Sequence, residues 1–542
     1  MYLQQIEISG FRGINHLSLT LRPNMVLIGE NAWGKSSLLD ALSHIFNVKD
    51  ELYQFSEQDF HLRDHQQAQP IKLCFTFCEE ENETFGQNEE NHYYDIFHLN
   101  DAGLQHVYLQ ISGTLTDQGV KTEYQFLDSQ GVRLDIDNLQ QVVRSVISYT
   151  PVYRFRDARL NKFANLEALS QSDNLAQSEL ADELRALSFL LKYYFLSTHT
   201  NKHHPNSMLD TSQLWNKVKS LCQRLKQNND QQLIQQVRTQ LSSLFVLNQK
   251  HNQIKTPIIL FEDLEARLHP RMIAIFWELV TYLPVQRITT TNSMELLSQV
   301  PLREISRLVR YRDRTEAYSL ARSSLGKEDL RKLTFHIHYN RGLALFSRAW
   351  ILVEGETEVW ILTELANLLD INLEMEGIRI VEFAQCGLRP LIKYAKAMGI
   401  EWYVLTDGDQ AGEKYADIAK SMLQEDEHPS KRLTVIPRQD IEHFFITKDL
   451  EKSLYILLVG NREITNTRQK PLSNARFSTP PNRIWQLRFQ AKSNNEAIKR
   501  SLAYLKSCLL KSCNLSKSNK SQAVKFTRFF ANLTAGLIQT PL

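Results

Sequence analysis

The octapeptide Gly29-Glu30-Asn31-Ala32-Trp33-Gly34-Lys35-Ser36 constrains the fold of this chain more than any other stretch. It follows the apolar run Met25-Val26-Leu27-Ile28, which reads as a strand, and leads into Ser36-Ser37-Leu38-Leu39, which reads as the start of a helix. A glycine-rich turn from strand to helix aims backbone N–H groups at one point, where the helix dipole adds partial positive charge. Phosphate suits that point. In such a loop Lys35 reaches the β and γ phosphates of a nucleotide and the Ser36 hydroxyl goes to Mg²⁺. The candidate nucleotide-binding residues are therefore Gly29, Glu30, Asn31, Ala32, Trp33, Gly34, Lys35, Ser36 and Ser37.

A nucleotide site also needs an acidic strand end, and Pro257-Ile258-Ile259-Leu260-Phe261-Glu262-Asp263 supplies one. Glu262 is expected to hold Mg²⁺ directly or through water, and Asp263 to orient the water that attacks the γ-phosphate. A later run, Arg287-Ile288-Thr289-Thr290-Thr291-Asn292-Ser293, reads as a strand that ends in an amide. Asn292 can hydrogen-bond a γ-phosphate but cannot titrate or carry positive charge.

Further acids fall at two more strand ends. Ala349-Trp350-Ile351-Leu352-Val353 reads as a strand closed by Glu354-Gly355-Glu356-Thr357-Glu358, with a helix after it. Trp402-Tyr403-Val404-Leu405-Thr406 reads as a second strand, closed by Asp407-Gly408-Asp409. In an open parallel sheet the carboxyl ends of the strands line the ligand crevice, so both clusters can face one pocket. Like charges so gathered repel, and a hard divalent cation removes that penalty. The alternative is that these acids cap helices or solvate a loop.

Glu354-Gly355 together with Asp407-Gly408-Asp409 resembles the Toprim fold of primases, topoisomerases and a group of nucleases. The longer phrase Leu352-Val353-Glu354-Gly355-Glu356-Thr357-Glu358 resembles more narrowly the OLD family of ATP-dependent nucleases. That resemblance implies an α/β fold: an N-terminal ABC-type P-loop ATPase with a helical insertion, followed by a Toprim α/β domain. It implies ATP and Mg²⁺ or Mn²⁺ as cofactors, DNA as partner, and a homodimer formed through the ATPase domain. Glu354, Asp407 and Asp409 are then expected to hold one metal, with Glu358 and Glu442 near a second. Glu442 belongs to Asp440-Ile441-Glu442-His443-Phe444, which resembles the acidic stretch of such nucleases. Ile8-Ser9-Gly10-Phe11-Arg12-Gly13 and Leu264-Glu265-Ala266-Arg267-Leu268-His269-Pro270 resemble segments of RecF and SMC-like ATPases, the first placing Arg12 near the nucleotide.

The sequence departs from that pattern in four places. Asn292 stands where such ATPases carry histidine, and Asp263 where many carry glutamate, which leaves hydrolysis slower or altered. Between Ser212 and Thr256, where an ABC-type ATPase has its serine and glycine signature, there is no glycine, and Gln231-Gln232-Leu233-Ile234-Gln235-Gln236-Val237 reads as an amphipathic helix. No phrase after Glu442 aligns with the lysine that the family uses to neutralise transition-state charge. The competing reading is thus an ATP-binding, DNA-associated scaffold with impaired catalysis. A topoisomerase would need a strand-attacking tyrosine in a separate domain, and a transporter ATPase leaves the second acidic region unexplained.

Organisation follows: 1–345 as the ATPase, with a helical, possible dimerisation arm over about 155–250; 346–450 as the Toprim nuclease domain; and 451–542 as a basic, divergent segment. That last segment carries fifteen Lys or Arg from Arg462 on, against Glu463 and Glu496, an asymmetry suited to a phosphate backbone. The six cysteines lie at no zinc-site spacing and read as core fillers in a reducing compartment. The opening residues Tyr2 to Ile8 alternate like a strand, and no apolar run reaches membrane-spanning length. A cytoplasmic protein is expected.

Overall fold

The computed structural model describes residues 2–47, 51–63, 67–79, 94–99, 103–156, 179–191, 211–227, 230–244, 257–266, 268–283, 285–321, 323–340, 342–368, 371–425, 427–436 and 440. The chain forms two compact units. One comprises Met1–Ser324 with Ile337–Phe346 and Ala397–Gly399; the other comprises Leu325–His336, Ser347–Lys396 and the described residues from Ile400 on.

The first unit contains two six-stranded sheets. In the antiparallel one the order is Ile14–Thr20, Tyr2–Phe11, Ile71–Cys78, Gln105–Thr116, and both His98–Leu99 and Gly119–Leu127 pair with the last of these. Alternation decides which face is covered: Leu73, Phe75 and Phe77 are buried while Lys72 is exposed. Cys74 therefore lies half-buried on the opposite face rather than in the core, as the sequence had suggested, whereas Cys78 is buried.

The second sheet carries the phosphate loop. Its order is Val152–Arg156, Ile258–Glu262, Gln286–Thr290, Asn24–Ile28, Ile305–Arg310 and Thr315–Ser319, parallel except for the last strand. Strands of a parallel sheet are covered on both faces, and Ile258–Glu262 is buried at every position. The helix Lys35–Ile45 buries Leu38, Leu39, Ala41, Leu42 and Ile45. Those residues join one apolar cluster with Ile6, Phe75 and Leu109 of the antiparallel sheet and Leu27, Leu260 and Ile288 of the parallel one. Burial on both sides of this helix fixes where the loop before it must stand.

Three helices, Glu179–Leu191, Thr211–Gln227 and Gln231–Leu244, occupy the described part of the expected insertion. Leu233, Val237 and Leu241 recur every four residues and are buried, so Gln231–Leu244 is an amphipathic helix, as read from the sequence. Arg224 pairs with Glu183 at 2.9 Å, Lys226 with Glu278 at 3.0 Å, and Arg238 donates to the Tyr282 carbonyl. The last two contacts dock the helices on Pro270–Val280 and the turn that follows it.

The second unit is a parallel sheet in the order Ile378–Glu382, Ala349–Val353, Glu401–Thr406, Leu433–Val435. Ala349–Val353 is internal and wholly buried. Ile351, Val353 and Leu405 pack with Leu362 and Ala366 of the helix Glu356–Leu368. Toward the other face Trp350 stacks on Tyr394 of the helix Leu388–Ala397, with centroids 6.3 Å apart. Gly387, in the turn before that helix, has φ 85°. Among the described residues, no helix is long and apolar enough to cross a membrane. Glu442, His443 and the basic segment 451–542 lie outside the described residues.

Candidate functional site

The phosphate loop closes on its own lysine. Gly34 adopts φ 97°, and a Cβ there would meet Ile14 Cγ1 at 2.9 Å, so glycine is required on both conformational and steric grounds. Lys35 starts the helix and turns its ammonium back to the carbonyls of Gly29 and Glu30 and to Asn292 Oδ1 at 3.2 Å. Burial lowers its pKa, opposed by the charges of Asp263, Glu30 and Glu265. Trp33 lies under the Arg307 guanidinium, 5.5 Å from ring centroid to Cζ, and Arg310 donates to the Ala32 carbonyl at 3.0 Å. Ala32 itself has φ 66°, a conformation that L residues rarely adopt.

The expected acidic strand end meets this loop. Ser36 donates its hydroxyl to Glu262 Oε1 at 3.1 Å, which joins the start of the helix to the end of Ile258–Glu262. Asp263 follows at φ 49°, with its backbone N–H on the Thr290 carbonyl. Such a conformation in a residue other than glycine is strained and recurs at functional sites. Glu265 Oε1 accepts both the Thr291 hydroxyl at 2.6 Å and the Asn292 N–H at 3.1 Å, which fixes the end of Gln286–Thr290.

An ion-pair network joins Glu262 to the helix after the loop, through Arg154 and Asp40, which no sequence motif marked, and through Arg12. Arg154, from Val152–Arg156, donates through Nε and Nη2 to Glu262 Oε2 at 3.0 and 2.7 Å, and its Nη1 pairs with Asp40 of the loop helix. Asp40 also receives Arg12, which in turn holds Asp59 at 2.9 Å. Burial would raise the Asp40 pKa, but Arg154 and Arg12 outweigh it and hold the carboxyl below its ordinary value. Arg12 is thus a half-buried ion-pair residue, its φ of 46° braced by His61 on its carbonyl and by its own N–H on the Asp59 carbonyl.

The second unit brings its acids to adjoining strand ends. Val353 lies opposite Glu382 on one side, and Leu352 opposite Val404 on the other, so Glu354 and Asp407 leave neighbouring strands at the same edge. Asp409 caps the helix Gln410–Ser421 by accepting the Gly412 N–H at 2.7 Å. Gly412 sits so close that a Cβ would lie 2.1 Å from the Asp407 carbonyl oxygen. Glu358, in the first turn of Glu356–Leu368, accepts the Gly355 N–H at 3.0 Å. Both helix-capping contacts agree with the plainer reading of these acids, and each leaves the second carboxylate oxygen for another role.

Glu354 is different. Its Oε2 is buried with no hydrogen-bond partner among the described residues. Burial raises its pKa, and the charges of Asp409 and then Glu358 raise it further, so the three share one field. Glu382 ends the adjacent strand and is also buried. Among the described residues, no three His, Cys, Asp or Glu side chains stand within metal-holding reach of one another. The oxygen chemistry, the orphaned Glu354 atom and the repulsion around it nonetheless fit a hard divalent cation.

Fold and sites together define a P-loop ATPase head followed by a Toprim domain. The chain belongs to the family described as "Protein of unknown function (DUF2813)", which it matches over residues 1–344. Residues 345–409 match "Overcoming lysogenization defect protein-like, TOPRIM domain". It is 36% identical over 498 residues to "Uncharacterized protein YbjD" of Escherichia coli (strain K12), covering 82% of this chain and 86% of that one. Among solved structures, it matches the SMC head domain from Thermotoga maritima at 12% identity, over 59% of this chain and 100% of that one, with TM-score 0.29. It matches the recombination mediator protein RecF at 14% identity, over 59% and 98%, with TM-score 0.28. Scores that low add no weight to the strand order described above.

Proposed function

We propose that the protein is an ATP-dependent, divalent-metal-dependent DNA endonuclease or nickase, hydrolysing phosphodiester bonds at the Toprim site under control of the ABC-type ATPase head. The observation that carries this reading is Glu354: a buried carboxylate oxygen lacking a donor, at a strand end, inside the field of Asp409 and Glu358. A bound Mg²⁺ or Mn²⁺ would supply Lewis acidity and a water acidic enough to attack phosphorus. Glu354, Asp407 and Asp409 would hold one ion, with Glu358 and Glu442 toward a second.

In the head, the loop amides and Lys35 would bind the β and γ phosphates, Ser36 and Glu262 would orient Mg²⁺, Asp263 would hold the attacking water, and Asn292 would sense the γ-phosphate. Domain limits at 1–345, 346–450 and 451–542, a homodimer through the head, and a cytoplasmic setting belong to the same proposal. A scaffold with impaired catalysis is the second reading, favoured by the amphipathic helix in place of a signature and by the helix-capping contacts of Glu358 and Asp409.

Relaxation of supercoiled plasmid with Mg²⁺ or Mn²⁺ and ATP decides between them. The proposal expects nicked circles from the wild type and intact plasmid from Asp407→Ala; intact plasmid from both under every metal supports the scaffold.

A further inference from the structure

Arg154 has no role in the nucleotide site as read from sequence, yet it donates twice to the Glu262 carboxylate, through Nε and Nη2. Glu262 is 5% exposed, and a carboxylate so enclosed is costly without a countercharge. The countercharge is shared: the same guanidinium also pairs with Asp40, whose second cation is Arg12. A cationic side chain with two carboxylates within reach can release one and remain neutralised by the other. At Glu262 the cation on Oε2 is Arg154, while Oε1 receives the neutral hydroxyl of Ser36.

We propose that Arg154 is a positioning residue that stands in for the metal at Glu262: it neutralises this carboxylate when no Mg²⁺ is present and swings its charge toward Asp40 when Mg²⁺ arrives with the nucleotide. Arg154 thereby sets how much Mg²⁺ nucleotide binding demands. This inference rests on the reading of Ser36 and Glu262 as the magnesium side of a nucleotide site. Asp40 is the resting place of the displaced charge, and Arg12 pairs with Asp40 from the other side.

The test uses the full chain and a fluorescent ATP analogue, titrated with Mg²⁺ at constant ionic strength, together with thermal melting in chelator and in Mg²⁺. Arg154→Met removes the competing charge and retains much of the side-chain volume. The half-saturating Mg²⁺ concentration for analogue binding is expected to fall roughly fivefold, a moderate Coulomb effect at the edge of solvent. The variant is also expected to melt lower than wild type in chelator and to recover in Mg²⁺, while Arg154→Lys, which keeps the charge, stays near wild type in both measurements. An unchanged Mg²⁺ midpoint in Arg154→Met, or a melting deficit equal in chelator and in Mg²⁺, overturns the inference. Failure of the wild type to bind the analogue under any metal condition overturns instead the nucleotide-site reading beneath it, so the two failures are separable.

Discussion

Lys35 and Glu354 hold opposite kinds of tension. The Lys35 ammonium is buried against its own loop carbonyls, so a nucleotide's phosphate oxygens would have to replace contacts that already exist. Lys35→Ala is expected to abolish binding of a fluorescent ATP analogue while leaving the far-ultraviolet circular dichroism unchanged; retained binding would remove the loop from the nucleotide site. Glu354 instead binds a proton more tightly when folded than when unfolded, because burial and then Asp409 and Glu358 raise its pKa. Its ionisation therefore costs stability as pH climbs from the ordinary carboxylate range, about 4, through the raised folded value. In chelator, Glu354→Gln is expected to melt above wild type at pH 7 and to converge with it below about pH 4. A variant that melts lower at both pH values would show that no such cost exists. The sequence made the ends of these strands legible because apolar runs stop at them. It gave no sign of Arg154, whose partner Glu262 lies far along the chain and follows no local spacing.

At the scale of elements, the positions of the acids depend on how closely helices start behind their strands. The first turn of Gln410–Ser421 rests on the backbone of Asp407, a closeness that Gly412 permits. Gly412→Ala puts a methyl group into that carbonyl and is expected to cost roughly 1–3 kcal/mol, the range for overpacking a well-filled site. The same variant should lose metal-dependent plasmid nicking more completely than it loses stability. Chemical denaturation beside the nicking assay checks both, and a variant with wild-type values for each contradicts the close packing. In this unit the helices after the two acidic strand ends were legible from their apolar spacing, whereas Leu388–Ala397 was not read from the sequence. The helical part of the first unit was less so. Helices were expected over about 155–250 and three are described there, but that they dock on the segment around Pro270–Val280 was not read from the sequence. Amphipathic spacing reports that a face is covered and is silent about what covers it.

For the molecule as a whole, one chain joins a P-loop ATPase head to a Toprim domain with acids at its strand ends. The net charge of +2 conceals the excess of fifteen basic residues over two acidic ones from Arg462 on. If that segment follows a phosphate backbone, DNA affinity should fall steeply and linearly on logarithmic axes as salt rises, which fluorescence anisotropy with a short duplex measures. A flat salt dependence would assign those residues to another task.

The account stands or falls on whether the strand-end carboxylates of the second unit gather a divalent cation. Calorimetric titration of Mn²⁺ into the full chain, in the absence of nucleotide, measures this without requiring catalysis. Saturable binding in the wild type that is lost in Asp407→Asn and in Glu354→Gln, but kept in Ser36→Ala, is the expected result. Binding indifferent to both Toprim substitutions, or no binding at all, would contradict it.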